Sequence, residues 1–253
     1  MDTDNKYGTL DIQKELLLLL KEFDSFCMKE GIKYSLDSGS LLGAIRHKGF
    51  IPWDDDLDVI LDRENYNKLI FTVDKAKSLV IERITGQALW VDRVRLQGAE
   101  AINGLAPTLD IFILDNVPDN KWKAVFKKYT IFMLQGMLKP HLSMKKGSLI
   151  MKLCSLISYM MGLFFPRKVK YKWYNMVSQW GNKDKCKYGS CYNYTFKGIG
   201  KLFPSDALKR IIRVPFESID VSVMEDYDSV LTSIYGDYMT PPKEEERIPK
   251  HMK

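Results

Sequence analysis

Four carboxylates crowd into five positions of the stretch GFIPWDDDLDVI, residues 49–60: Asp54, Asp55, Asp56 and Asp58. Carboxylates this close repel one another, and they cannot be buried without a compensating charge. Alternate residues of a strand share a face, so Asp56 and Asp58 are predicted to point the same way. Oxygen ligands on one face suit Mg²⁺ or Mn²⁺. The pattern therefore favours a divalent-cation site over a solvated turn or a helix N-terminus.

A second pattern precedes the acids, with Ser38, Gly39 and Ser40 at the predicted start of a short helix. Backbone N–H groups and small hydroxyls at such a start hold phosphate, and glycine permits close approach. A Gly-Ser helix start followed by a strand with Asp-x-Asp resembles the nucleotidyltransferase-fold superfamily, whose members bind a nucleotide phosphate beside metal-holding aspartates. That resemblance predicts a third carboxylate on an adjacent strand. Asp110, within TLDIFILD, meets this expectation, the alternative being an edge-strand acid that faces water.

The resemblance extends to one family. Residues 39–59, GSLLGAIRHKGFIPWDDDLDV, resemble the signature of the LicD/fukutin family, and so do LDIFILDNVP at 109–118 and the tail YGDYMTPPKEEERIPKH at 235–251. Members of that family transfer a phosphorylated alcohol, such as phosphocholine or ribitol phosphate, from a CDP-activated donor to a sugar hydroxyl. The resemblance implies a bacterial transferase that modifies a cell-surface polysaccharide, either lipopolysaccharide or teichoic acid.

The resemblance also implies roles for the acids. Asp54, Asp56, Asp58 and Asp110 are expected to be metal ligands for Mg²⁺ or Mn²⁺. Asp56, Asp58 and Asp110 are the expected catalytic residues, with Asp110 acting as a ligand, as the base that receives the acceptor's proton, or as both. Asp55 matches a variable position of the family pattern, so it is not assigned to the site.

The predicted donor site joins the Gly-Ser turn to three basic residues that precede the acids: Ser38, Gly39, Ser40, Arg46, His47 and Lys48. Positive groups there can hold the donor's phosphates, whereas a solvated helix end is the alternative for the basic trio. Trp53 either stacks on a base or a quaternary ammonium, or it pins the loop. Arg247 either folds back over the site or pairs with Glu244 or Glu245. Arg93 and Arg95 share one face of a predicted strand and are both candidates for phosphate or acceptor contact.

The elements that must position these residues form an alternating pattern. Residues 10–30 are predicted to form a helix that ends at Gly31, and residues 57–62, 89–98 and 108–115 are predicted strands. The order of helices and strands predicts an α+β fold, in which a nucleotidyltransferase-like mixed sheet is flanked by helices and carries a basic helical appendage.

Three parts of the chain are predicted: a catalytic core over 1–120, a basic and largely helical acceptor-facing or membrane-facing region over 121–205, and a C-terminal segment over 206–253 that packs back on the core. Residues 121–187 hold 15 Lys and Arg and a single acid, although the whole chain carries a net charge of only +6. One part of the chain is therefore suited to an anionic partner. The uncharged run 153–165 is too short to span a bilayer and is either a buried core helix or an interfacial segment.

The leading hypothesis is metal-dependent transfer of a phospho-alcohol, most simply phosphocholine, from a donor such as CDP-choline to a glycan or lipid-linked glycan. Transfer of the nucleotide itself to a small-molecule or protein hydroxyl uses the same metal chemistry and stays open. A nucleic-acid-binding module is a third hypothesis, suggested by the basic aromatic region, but the acidic cluster would repel a phosphate backbone. The polar N-terminus MDTDNKYG has no apolar signal segment, which predicts a cytoplasmic location, with peripheral association at the inner face of the membrane as an extension.

Overall fold

The computed structural model describes residues 5–83, 91–142, 148–194, 198–249 and 251, with Ile150 described by its backbone alone. The chain forms two compact units. Unit 1 consists of Met1–Glu82, Asp92–Phe112 and Asp206–Lys253. Unit 2 consists of Arg83–Val91 and Ile113–Ser205.

Unit 1 combines helices with a sheet. Its α-helices are α1 (Leu10–Glu30), α2 (Ser38–Leu42), α3 (Arg63–Thr72) and α7 (Tyr227–Tyr235), and a π-helical turn (Gly43–His47) and two 3₁₀ turns (Val73–Lys75 and Glu244–Glu246) complete the helical elements. Its strands are β1 (Ser35–Leu36), β2 (Leu57–Asp62), β3 (Leu79–Glu82), β4 (Asp92–Leu96), the first half of β5 (Leu109–Val117), β8 (Ile211–Phe216) and β9 (Ile219–Met224). The predicted helix over 10–30 and the predicted strand over 57–62 are confirmed at both ends. The predicted strand over 89–98 is shorter, as β4, and its first two residues lie outside the described part of the chain.

The main sheet has the strand order β1-β2-β5-β4-β3. Strand β1 pairs with β2, β3 with β4, and β4 with β5, each antiparallel, and the last register sets Arg93 opposite Asp110. Leu57 and Val59 of β2 are fully buried on one face of the strand, whereas Asp58 lies on the other face beside the buried Ile60. The predicted α+β fold, a mixed sheet flanked by helices, is confirmed.

The C-terminal part of unit 1 is anchored by a hairpin of β8 and β9. Arg213 of β8 makes a two-pronged ion pair with the buried carboxylate of Asp24 on α1, at 2.5 and 2.8 Å. The backbone N–H of Met224 donates to the hydroxyl of Ser35 at 2.9 Å. These contacts attach the hairpin to α1 and β1, and α7 then packs against α2.

Unit 2 is mostly helical. It contains α4 (Lys121–Leu138), α5 (Leu149–Leu163) and α6 (Arg167–Ser178), with short strands β6 (Tyr188–Cys191) and β7 (Phe203–Pro204). The second half of β5 pairs with β6 in this unit. Lys127 is completely buried, and its ammonium group donates to the carbonyls of Asn116 and Trp180 at 2.7 and 2.8 Å. The buried charge is therefore solvated by the protein.

The long uncharged run of unit 2 does not form a core helix. Helix α5 is buried at Ser158 and Gly162, but Leu153, Ile157 and Met160 are exposed. The buried-core alternative for residues 153–165 is therefore wrong, because only one face of the helix has neighbours to pack against. Among the described residues, no helix is both long and apolar enough to cross a membrane.

Candidate active site

Helix α1 holds the loop that carries the acids. The side-chain amide of Gln13 donates to the carbonyls of Ile51 and Asp54 at 3.1 and 2.8 Å, and it is buried where it does so. The hydroxyl of Thr9 donates to the carbonyl of Pro52 at 2.6 Å. A loop held by three side-chain hydrogen bonds from one helix keeps its carboxylates in fixed positions although they repel one another.

The Gly-Ser turn and the acids meet as the sequence predicts. The N–H of Asp37 donates to the carbonyl of Asp58, and the N–H of Asp58 donates to the hydroxyl of Ser40, both at 2.9 Å. A Cβ atom added to Gly39 would lie 2.7 Å from a carboxylate oxygen of Asp54, closer than such atoms approach. A larger residue at this position would displace the carboxylate of Asp54, so glycine lets that carboxylate approach the backbone closely.

Several carboxylates act on Asp58 together. Burial, and then the negative charges of Asp56, Asp37, Asp110 and Asp54, raise the pKa of Asp58 well above its usual range. Each neighbour disfavours ionisation because like charges in a partly buried site are poorly screened. The cluster thus has an excess of negative charge that a bound cation would relieve.

Asp110 forms an ion pair with an arginine side chain. Its carboxylate lies 2.8 Å from Nε of Arg93, across the register of β4 and β5. Burial raises the pKa of Asp110, Arg93 opposes that shift, and Asp56 adds to it. Asp110 is accordingly a carboxylate that is oriented by an arginine and faces the other acids.

The tail of the chain supplies a further ligand type. The backbone N–H of His251 donates to Asp55 at 2.9 Å, and its ring Nδ1 lies 3.0 Å from Asp55 and 3.5 Å from Asp56. The side chain of Asp55 is 0% exposed, whereas that of His251 is 49% exposed. One ligand atom from each of the three residues fits within 4.8 Å, which is the spacing of a candidate metal site.

Helix α7 places a phenol near the same cluster. Burial, followed by the charges of Asp37, Asp54, Asp58 and Asp56, raises the pKa of Tyr235. A phenol that stays protonated near carboxylates can donate a hydrogen bond.

The three basic residues before the acids separate in the structure. Arg46 donates to the carbonyl of Tyr238 at 2.8 Å, and burial lowers its pKa. His47 lies edge-on to Trp53, and burial, then Arg46, lowers the pKa of His47. Lys48 is exposed in a left-handed turn with φ of 60°. Arg46 and His47 therefore lie in a partly enclosed environment, whereas Lys48 faces solvent.

Trp53 lies within a group of side chains from both ends of the chain. The guanidinium of Arg247 is 5.3 Å from the centre of its ring, and Tyr7 packs edge-on against the ring at 5.6 Å. Arg247 also donates to the carbonyl of Pro242 at 2.9 Å. The tail thus folds back onto the acid loop, and Trp53 holds that contact by a cation–π interaction.

Comparison with known proteins accounts for this arrangement. Residues 31–140 match the sequence profile described as LicD/FKTN/FKRP, nucleotidyltransferase domain. The chain is also 30% identical to the lipopolysaccharide cholinephosphotransferase LicD of Haemophilus influenzae over 253 residues, covering 93% of each chain. The chain belongs to the LicD family. A shorter match, 48% identity over 50 residues, is to an uncharacterized protein of Rickettsia prowazekii and covers 20% of this chain and 19% of that one.

The donor set of this LicD-family site suits a divalent cation. The charges of Asp56, Asp110 and Asp54 contribute to the raised pKa of Asp58, so these four predicted ligands lie near one another. In the described part of the chain, the group of three whose ligand atoms come within 4.8 Å of one another is instead Asp55, Asp56 and His251, and Asp56 is the member of the predicted set that belongs to it. Hard oxygen ligands and a surplus of negative charge are what Mg²⁺ and Mn²⁺ require. The residues present therefore fit the cation that the family resemblance implies.

Sequence reasoning missed part of the site. Asp55 was set aside as a variable position, and His251 and Tyr235 were not assigned, although both lie in the family-like tail at 235–251. That tail was the one signal that could have found them. Asp37, the residue before the Gly-Ser turn, was likewise not singled out.

Proposed function

We propose that this LicD-family protein transfers phosphocholine from CDP-choline to a hydroxyl of a bacterial cell-surface glycan, with lipopolysaccharide or its lipid-linked precursor as the acceptor class. One observation carries the proposal: the similarity to a lipopolysaccharide cholinephosphotransferase extends over 93% of both chains, and this chain has a carboxylate cluster within the residues that match the nucleotidyltransferase-domain family. In the reaction, the acceptor oxygen forms a bond to the choline-bearing phosphorus. The bond from that phosphorus to CMP breaks, and CMP leaves with the electron pair.

Asp56 is the proposed centre of cation binding, because it neighbours both groups of acids. Its charge raises the pKa values of Asp58 and Asp110, and its carboxylate lies close to Asp55 and His251. When bound there, the cation neutralises charge on the pyrophosphate oxygens of the donor and on the departing CMP. A histidine nitrogen beside carboxylates favours Mn²⁺ over Mg²⁺, since Mg²⁺ prefers oxygen alone.

Asp110 is the proposed general base. Its raised pKa brings proton acceptance closer to neutral pH, and Arg93 holds the carboxylate in place through Nε at 2.8 Å from one oxygen and Nη2 at 3.4 Å from the other. Arg93 therefore serves as a positioning residue in this proposal.

The donor is proposed to lie across the Gly-Ser turn. Ser38 and Gly39 offer backbone and hydroxyl donors to phosphate, while Ser40 mainly positions Asp58 through its hydrogen bond. Arg46 and His47 lie along the same chain segment and are the proposed phosphate contacts, with Lys48 as an outer charge. The predicted division into a core at 1–120, an acceptor-facing region at 121–205 and a returning segment at 206–253 is retained as part of this proposal. The proposed setting is the cytoplasmic face of a membrane.

The competing reaction is transfer of the nucleotide itself, which the same acids could support. A donor panel separates the two. Thermal unfolding would be followed with CDP-choline, CDP-ribitol, CDP-glycerol, CTP and ATP, each with Mg²⁺, with Mn²⁺ or with chelator. We expect a metal-dependent rise in Tm confined to one CDP-alcohol, followed by CMP release when a glycan acceptor is added.

Equal stabilisation by CTP and ATP, with pyrophosphate as the product, would establish nucleotide transfer instead. No response to any nucleotide would contradict both reactions. A nucleic-acid-binding role predicts salt-sensitive binding to RNA or DNA without a nucleotide response.

A further inference from the structure

The face of α5 opposite its buried side carries an uncharged apolar stripe. Its members recur at spacings of three and four residues and are exposed: Leu149, Leu153, Ile157, Met160 and Phe164. At 3.6 residues per turn these positions fall within an arc of about 80°. Leu149 and Phe164, at the two ends, are 83% and 81% exposed. Regularly spaced apolar side chains that are this exposed are unusual on a helix whose other side is packed.

The opposite side of α5 is packed so tightly that the orientation of the stripe is fixed. A Cβ atom added to Gly162 would lie 2.5 Å from the backbone carbonyl oxygen of Met137 on α4, and one added to Gly136 would lie 2.5 Å from Ser158. The ammonium of Lys170 then donates to the carbonyls of Met137 and Gly162, both at 2.9 Å. The two helices and α6 thus form one packed layer, and α5 cannot rotate to hide its apolar face.

Charge around the stripe selects the partner. The segment from 121 to 183 contains no acidic residue, and 121–187 holds 15 basic ones. Lys168 and Lys172 of α6 are exposed, and Lys152 is partly exposed within α5 itself. A second copy of this chain would bring the same positive charge to the face, so self-association there is disfavoured.

We propose that this face of unit 2 docks on an anionic phospholipid surface, with the α5 stripe inserted at the boundary between headgroups and acyl chains. An uncharged apolar stripe in a unit rich in exposed lysines, such as Lys168 and Lys172, is the combination expected of a helix that lies in the plane of such a surface. Helix α4 also exposes Trp122, Phe126 and Tyr129, and aromatic side chains are favoured at headgroup depth. The proposal is drawn from unit 2 alone; it rests on the proposed function only for its purpose, which is to meet a lipid-linked acceptor.

The test is vesicle flotation of the whole protein without donor or acceptor. Vesicles of phosphatidylcholine with about 40% phosphatidylglycerol are compared with phosphatidylcholine alone, at low and at high salt. We expect the protein to float with the anionic vesicles at low salt and to be partly released by high salt. The variant Leu153→Asp/Ile157→Asp should partition about tenfold or more weakly, because it removes apolar area and adds charge at the boundary.

The matched control is Met28→Asp/Phe71→Asp, which adds the same charge at two exposed apolar residues of unit 1 and should float like the unchanged protein. Leu153→Asn/Ile157→Asn separates lost apolar area from added charge and should also bind more weakly, and circular dichroism verifies that each variant is folded. The proposal is overturned if the unchanged protein stays unbound to anionic vesicles, if it binds neutral vesicles equally, or if the two α5 variants float normally. Dimerisation that is lost in those variants, without flotation, would also overturn it. Because no transfer is measured, a failed transferase assay and a failed flotation assay remain distinguishable.

Discussion

Unit 1 and unit 2 handle charge in opposite ways. Unit 1 concentrates carboxylates in one partly buried cluster, where they raise the pKa of Asp58, and it holds them with hydrogen bonds from α1 and β1. Unit 2 has almost no acids and spreads its basic residues beside an exposed apolar helix. The fully buried Lys127 donates hydrogen bonds to two backbone carbonyls.

The difference teaches where each unit needs a partner. Crowded carboxylates cost stability, and a bound divalent cation would relieve that cost, which is why we propose a cation site in unit 1. The apolar stripe of α5 is exposed in a unit rich in basic residues, which is why we propose that it docks on an anionic membrane. A cation would bind at one small site in unit 1, whereas a membrane would cover an extended surface of unit 2. This difference agrees with the proposed catalytic role of unit 1 and the proposed docking role of unit 2.

The largest effect is expected at the acid cluster. Asp58→Asn keeps the size of the side chain but removes its charge, so transfer activity with CDP-choline should fall by about 10³-fold or more, as when a catalytic charge is lost. Rates of CMP release at saturating donor provide the measurement. The matched variant Asp74→Asn, at an exposed aspartate of unit 1, should be fully active; comparable losses in both would contradict a special role for the cluster.

A smaller loss is expected at Arg93. Arg93→Ala removes the cation that opposes the raised pKa of Asp110, so that pKa should rise further. A base must be deprotonated to act, so the acidic limb of the pH–rate profile should move to higher pH and the rate at neutral pH should fall about 10- to 100-fold.

Arg95→Ala is the control for Arg93, because Arg95 lies on the same strand, is similarly exposed and pairs with Glu82 at the same distance of 2.8 Å. The acidic limb of the pH–rate profile of Arg95→Ala should lie at the same pH as in the unchanged protein. If the acidic limb of Arg93→Ala also stays at that pH, Asp110 is not the general base.

The tail should matter less. His251→Ala removes the one nitrogen ligand near Asp55 and Asp56, so the activity should fall about tenfold, and the concentration of Mn²⁺ needed for half activity should rise. The response to Mg²⁺ should change less. His141→Ala, in unit 2, should leave both metal titrations as they were, and equal effects from the two histidines would argue against a ligand role.

The smallest effect on activity is expected from unit 2. In Gly162→Ala the new methyl group collides with the backbone of Met137, which should lower the free energy of unfolding by about 1–3 kcal/mol. Calorimetry provides the measurement, with Cys154→Ala on the exposed side of the same helix as the neutral control. The rise in Tm caused by nucleotide should persist in both variants. Its loss in Gly162→Ala would contradict the claim that nucleotide binding depends on unit 1 and not on the packing of unit 2.

Much of unit 1 could be predicted because its signals are local. The apolar run LDVILD gives β2, and the apolar stretch before Gly31 gives α1. The contact between the Gly-Ser turn and the acids also followed, since the two patterns are close in sequence. His251 did not follow in the same way, because its contact with Asp55 joins residues 196 positions apart.

Two features depend on tertiary structure. Asp55 matches a variable position of the family pattern and is not assigned from the sequence, whereas in the structure its buried carboxylate contacts His251 of the tail. The run at 153–165 was weighed as a core helix on composition alone. Composition tells how apolar a helix is, but the number of neighbours available to cover it depends on tertiary structure.

The most direct test of the central claim compares the Tm of the unchanged protein and of Asp58→Asn, each with chelator and with Mn²⁺. The raised pKa of Asp58 means that the folded state binds its proton more tightly than the unfolded state, so ionisation above the unfolded pKa costs stability without a cation. Asp58→Asn should therefore be a few degrees more stable than the unchanged protein in chelator, by about 2–4 °C for each kcal/mol relieved. Mn²⁺ should raise the Tm of the unchanged protein and leave that of the variant nearly unmoved. A variant that is less stable in chelator and still gains from Mn²⁺ would contradict the claim that these crowded carboxylates hold a cation.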